Sequence, residues 1–309
     1  MKLATLRQSD GSTTAALALG GDAWLPLPAG DVGALLADPR WREIAEAAAA
    51  AMLPGDAVQG GPADLAPLLP RAGKVICCGL NYADHILEMN RELPEYPTLF
   101  AKFADTLTGP ADEIRVTGSG KVDWEAELAV VVGVELKDAD EAQAAVGIAG
   151  YTVANDVSMR DWQNRTLQWL QGKAFDASTP VGPVLVTPEE LPEGMQGLDA
   201  EAGANGGLEV RGYVNGELVQ RGNSSTLVFG PARLLSYISR FTTLRPGDLV
   251  LTGTPGGVGM GLNPPRFLAD ADIIRTEIDG IGRLENRISL GTGASADHMS
   301  NNSTKETAR

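Results

Sequence analysis

Histidine is almost missing from this 309-residue chain; His85 and His298 are the only two. Cysteine is equally scarce, and its two copies, Cys77 and Cys78, are neighbours. That leaves too few nitrogen and sulfur donors for a tetrahedral zinc site. Adjacent cysteines rarely bond to each other, so a reducing, cytoplasmic location is expected. Both read as small core residues of a strand over Lys74–Cys78. Basic residues are outnumbered, 25 Lys and Arg against 40 Asp and Glu, giving a formal charge of -15 and a pI near 4.6. This balance argues against a nucleic-acid partner, although it leaves room for a local basic pocket. No apolar run reaches the roughly 18–20 residues of a membrane span. Met1–Leu6 lacks the apolar centre of a signal peptide. No membrane partner is expected. A Gly-x-Ser-x-Gly elbow is absent, which disfavours a serine hydrolase.

The chain does have turns: 37 Gly and 19 Pro, with 43% hydrophobic residues, point to a globular, β-rich mixed α/β fold rather than a helical bundle. Residues 1–70 read as a small N-terminal unit. In it, strands near Leu3–Leu6 and Thr14–Leu19 precede an Ala/Leu-rich helix from about Asp31 to Leu53, and Pro54–Pro70 forms a linker or extended crossing. Strand-like runs dominate residues 74–290. Asn215-Gly216 between Leu208–Tyr213 and Glu217–Gln220 predicts a hairpin. Leu249–Thr252 and Ile273–Ile278 are further strands. Helices are expected at Asp84–Arg91, Ala139–Val146 and Pro231–Phe241. Residues 291–309 are polar, without periodicity, and are expected to be a disordered tail.

Asp123-Trp124-Glu125-Ala126-Glu127-Leu128-Ala129-Val130-Val131-Val132 carries the clearest chemistry. In a strand, residues two apart share a face, so Glu125 and Glu127 leave the same side. Two buried like charges need something positive between them, and a hard divalent cation is the simplest candidate. Asp156, at the end of the apolar run Ala149–Asn155, offers a third oxygen. The alternative is an edge strand with solvated acids. His85 and Glu88 are three apart, so on a helix they can pair, and a carboxylate beside a histidine favours activation of water. The alternative is a surface pair. Lys173, set among apolar and Pro/Gly residues, can stabilise an enolate or hold a carboxylate, or it is a loop charge. Arg160 and Gln163 follow Asp156 by four and seven residues, so a helical turn returns them to the same site; Arg160 can equally cap a helix or pair with Asp161. Thr252-Gly253-Thr254-Pro255-Gly256-Gly257-Val258-Gly259 exposes backbone N–H groups suited to an anion. It matches neither a P-loop nor a dinucleotide fingerprint.

In this order, six segments resemble the fumarylacetoacetate hydrolase family from about Lys74 to Leu290. They are Gly79–His85, Trp124–Leu128, Asn155–Gln163, Gly172–Asp176, Pro180–Pro183 and Thr252–Gly259. The resemblance implies a β-roll catalytic domain behind a small N-terminal domain, usually as a homodimer. It also implies Mg²⁺, Mn²⁺ or Ca²⁺ on Glu125, Glu127 and Asp156. His85 and Glu88 would be the water-activating dyad, on a segment that acts as a lid in relatives. Lys173 would assist the enolate, and Arg160, Gln163 and Thr254 would contact substrate. Two departures stand out. Phe100-Ala101-Lys102-Phe103 lacks the more usual proline after the lysine, and Ala271-Asp272 stands where Gly-Asp is common.

The implied substrate is a small 2-oxo or 2,4-dioxo acid that chelates the cation, with the enolate stabilised by it. Hydrolysis of an acylpyruvate or fumarylpyruvate is the expected reaction, resting on the intact dyad. An oxaloacetate-type decarboxylase and a tautomerase or isomerase are the alternatives. A catalytically silent binding protein is the contrasting class.

Overall fold

The structure, a computed structural model, describes residues 1–88, 92–191 and 206–291; of His85, Leu87 and Glu88 it describes the backbone only. Of the tail expected at 291–309, Gly291 ends the strand Gly282–Gly291, and residues 292–309 lie outside the described residues.

Eleven strands form one large sheet. Its middle is built from Thr179–Val186, Ile148–Asn155, Ala126–Val132, Leu249–Leu251 and Val75–Gly79, in that spatial order. Every residue of Ala126–Val132 and of Ile148–Asn155 is buried, as continuous apolar runs covered on both faces demand. These two strands pair antiparallel, with Glu127 opposite Ala154 and Ala126 opposite Asn155. The end of one is therefore the start of the other, and Glu125, Glu127 and Asp156 fall at a single edge. A five-stranded sheet contains the hairpin Glu209–Val214 and Glu217–Asn223, and it also includes Ile273–Ile278, Gly282–Gly291 and Ile114–Thr117. Val210, Ile278 and Leu284 from this sheet share a core cluster with Leu128 and Val130 of the large one.

The first 70 residues join the same sheet. Lys2–Arg7 pairs with Thr179–Val186, and Leu3, Val32, Leu35 and Leu36 share a core with Val75 and Ala129. The long helix expected over 31–53 is two helices, Val32–Leu36 and Trp41–Ala51. Asp31 caps the first by accepting from the Ala34 N–H at 2.7 Å. Pro39 lies in the break, where it supplies no N–H and biases Asp38 away from helical geometry. Residues 54–70 are an extended crossing rather than a loose linker, since Leu65, Leu68 and Leu69 are buried. The helix Pro231–Phe241 has its expected bounds. The helix expected at Asp84–Arg91 is described as Ala83–Glu88, and residues 89–91 lie outside the described set.

Candidate active site

Four carboxylates and three cations meet at the edge where the central strands end. One carboxylate oxygen from each of Glu125, Glu127 and Asp156 lies within 4.8 Å of the other two. Lys173 Nζ donates to Glu125 and to Asp156, each at 2.8 Å. Lys102 Nζ donates to the other oxygen of Asp156. Arg160 Nη2 meets Glu125 at 2.6 Å, and its Nε donates to Asp123 at 2.8 Å. The contacts bear on the alternatives left open for the acids, Lys173 and Arg160. Glu127 and Lys173 are each 1% exposed, so neither is a solvated surface charge. Arg160 pairs with Asp123 and Glu125, while Asp161 accepts from Ser119 instead.

Local structure explains this convergence. Arg160–Gln163 and Leu170–Lys173 are single helical turns packed on each other. A Cβ on Gly172 would lie 2.5 Å from the Gln163 backbone nitrogen, so glycine there lets Lys173 approach the cluster. Gly253 has φ +100, a left-handed conformation that favours glycine, and its N–H donates to Glu127 Oε2 at 2.7 Å. Thr254 Oγ1 donates to the Ala126 carbonyl at 2.9 Å and accepts from Gln220 Nε2 at 2.8 Å. The helix Ala83–Glu88 begins two residues after Asn81. Asn81 is fully buried and donates to the Phe229 and Thr252 carbonyls at 3.0 and 2.8 Å. It pins the base of the His85 segment to the end of a sheet strand. The expected His85–Glu88 side-chain pair lies outside the described residues.

The three metal-type acids are not equivalent. Burial alone pushes Asp156 up, but Lys102 and Lys173 outweigh it and hold the carboxyl below its ordinary value. Burial favours a neutral Lys173, yet Asp156 and Glu125 overcome this and raise its pKa, so it remains an ammonium. Glu127 is pushed well above the ordinary carboxyl range by burial, then by repulsion from Asp156 and Glu125. Among the described residues no lysine or arginine forms an ion pair with it. One more positive charge fits here, and three converging oxygens suit a hard divalent ion. The buried triad can therefore hold a divalent metal.

A cavity of 280 Å³ opens beside the cluster, at the small end of the range for ligand sites. Glu125, Glu127, Arg160, Gln163, Lys173 and Thr254 all line it. Arg160 spends one Nη1 hydrogen on Gln163 Oε1 at 2.8 Å. One N–H on each terminal nitrogen remains, next to the Gln163 amide NH₂, a donor set matched to carboxylate or oxo oxygens.

Sequence reasoning missed Lys102, Asp123 and Gln220. Lys102 was legible in principle, because it lies two residues beyond Phe100 in the strand Thr98–Lys102, and Phe100 lines the cavity. Asp123 precedes the Glu pair and is fully buried. It accepts from the backbone of Trp124, Gly259 and Met260 at 2.9, 2.7 and 3.0 Å, besides Arg160. It ties the glycine-rich loop to the guanidinium. Gln220 comes from the other sheet and carried no local signal.

Residues 74–289 match the family description fumarylacetoacetate (FAA) hydrolase C-terminal, and the chain belongs to that family. It is 45% identical over 218 residues to the protein named oxaloacetate tautomerase fahd2, mitochondrial, of Xenopus laevis, covering 70% of this chain and 65% of the frog protein. It is 43% identical over 227 residues to the oxaloacetate tautomerase FAHD2A, mitochondrial, of Homo sapiens, covering 72% and 68%. Among solved structures, the fumarylacetoacetate hydrolase of Exiguobacterium antarcticum superposes with a TM-score of 0.79 at 30% identity, over 94% of this chain and 100% of that one. The 5-carboxymethyl-2-hydroxymuconate delta-isomerase of Mycobacterium smegmatis gives a TM-score of 0.71 at 32% identity, over 94% and 99%. The sheet-rich α/β architecture is thus the fold of this enzyme family. Among the described residues no helix is long and apolar enough to cross a membrane.

Proposed function

We propose that this chain is a divalent-metal-dependent enzyme that converts a small 2-oxo acid through its enolate, with keto–enol tautomerisation as its reaction. The carrying observation is Glu127, a buried carboxylate that no lysine or arginine among the described residues pairs with, in a triad of which Glu125 and Glu127 line the same cavity as Arg160 and Gln163. A Mg²⁺ or Mn²⁺ ion held by Glu125, Glu127 and Asp156 would act as a Lewis acid toward the oxo and carboxylate oxygens. Arg160 and Gln163 orient the carboxylate with the two free guanidinium N–H groups and the amide. Lys173, kept charged by Asp156 and Glu125, serves as a fixed positive group beside the developing enolate rather than as a base. The names of the relatives from Xenopus laevis and Homo sapiens support tautomerisation over the hydrolysis expected from the sequence.

Hydrolysis is the second reading, favoured by the placement of His85 and Glu88 three residues apart on one helix. The variant His85→Gln separates the two. If water attack is the native reaction, acylpyruvate cleavage falls by about 100- to 10,000-fold when the general base is removed; an equal fall in oxaloacetate tautomerisation would make His85 the group that takes the C3 proton. Tautomerisation without measurable acylpyruvate cleavage in the wild type supports the first reading. Efficient cleavage that collapses in His85→Gln overturns it in favour of hydrolysis.

A further inference from the structure

The cavity beside the carboxylate cluster has two characters. Its charged lining, Glu127, Arg160 and Lys173 among it, is buried, whereas Leu80 and Met260 are 36% and 40% exposed. The polar groups therefore form the floor. Leu80, Phe100, Trp169 and Met260 form the walls toward solvent. Of the cations in the lining, Lys173 is held by Glu125 and Asp156, and Arg160 is held by Asp123 and Glu125, with its two remaining N–H groups assigned to the near carboxylate in the reading above. The described walls offer none to the far end of a bound acid.

Two of these wall residues are held in place. Phe100 and Trp169 meet edge to face, with centroids 5.5 Å apart at 67°. A Cβ on Gly79 would lie 2.7 Å from the Trp169 ring, so the bare backbone of residue 79 is what the indole rests on. Lys173 Nζ lies 5.1 Å from the centroid of Phe100, which joins wall to floor.

We infer that Trp169 and its neighbours select the far end of the substrate, and that the site prefers a 2-oxo acid ending in an alkyl or aryl group to one ending in a second carboxylate. This rests on the enolate reading and specifies its substrate class. A second carboxylate against this wall loses water without gaining a partner among the described residues, while an apolar group buries surface on both sides.

Phenylpyruvate and oxaloacetate undergo the same tautomerisation and differ at the far end. Their rates, and their affinities in competition with oxalate, can be compared on the Mg²⁺-loaded full chain. We expect kcat/KM to favour phenylpyruvate by about tenfold or more. Trp169→Ala should lower it about tenfold for phenylpyruvate, chiefly through KM, with little change for oxaloacetate. Trp169→Phe should restore most of the loss, and oxalate should bind wild type and both variants alike. A wild-type preference for oxaloacetate, or equal losses on both acids in Trp169→Ala, overturns the inference. Failure of oxalate to bind the wild type with Mg²⁺ overturns the enolate reading itself, and the inference with it.

Discussion

Glu127 differs from Glu125 and Asp156 in that, among the described residues, it accepts from the Gly253 N–H and forms no ion pair. Its raised pKa makes metal binding a proton-coupled event, because the ion needs the carboxylate form. Metal affinity should therefore be weak near the ordinary value of 4.5 and rise as pH increases through the raised value, with a proton released on binding. The metal-free fold should show the opposite trend. A raised folded pKa means that the folded state holds the proton where the unfolded chain has lost it, so stability falls as pH climbs above 4.5 and the metal restores it. Calorimetric Mn²⁺ titrations in buffers of different ionisation enthalpy check this; a pH-independent affinity with no proton release would contradict it. At this scale the sequence exposed the acids and two of their partners, Lys173 and Arg160. The Glu-x-Glu spacing follows from a period of two, which also covers Asp123, whereas Gln220 reaches the site from a strand of the other sheet.

Ala271 shows how an element can carry a cost that its sequence announces. It stands where a Gly-Asp turn is common, and its φ is +70, a left-handed conformation that a Cβ disfavours. Asp272 still makes the turn's bond, accepting from the Ala269 N–H at 2.8 Å. Ala271→Gly should stabilise the fold by about 1 kcal/mol, read as a shift of the urea midpoint at unchanged slope; no shift or a loss would mean that the backbone tolerates alanine there. The hairpin at Asn215-Gly216 was legible for the same kind of reason, since both residues have positive φ, 50° and 82°, as the favoured two-residue turn requires. Other elements were hidden. Thr179–Val186 contains Pro180 and Pro183, which argue against a central strand. It nevertheless lies inside the large sheet, with an irregular register against Tyr151 and Val153. Pro39 was visible but lost against the apolar periodicity on either side, so two helices read as one.

For the whole molecule, the net charge of -15 opposes an anionic substrate, and the site answers it locally. Lys102, Lys173 and Arg160 are gathered under a small cavity by an edge that two central strands share. The N-terminal residues extend the same sheet, so the floor of the site is braced from both sides. The central claim is that this floor generates an enolate with the help of a metal ion held by its three acids. The most direct measurement is exchange of the C3 hydrogens of a 2-oxo acid with D₂O, followed by proton NMR, on wild type and Glu127→Gln, each with Mg²⁺ and with EDTA. We expect rapid exchange only for the wild type with Mg²⁺, and a fall of roughly 100-fold or more in the other three samples. Exchange that persists at the wild-type rate under EDTA or in Glu127→Gln would contradict the claim.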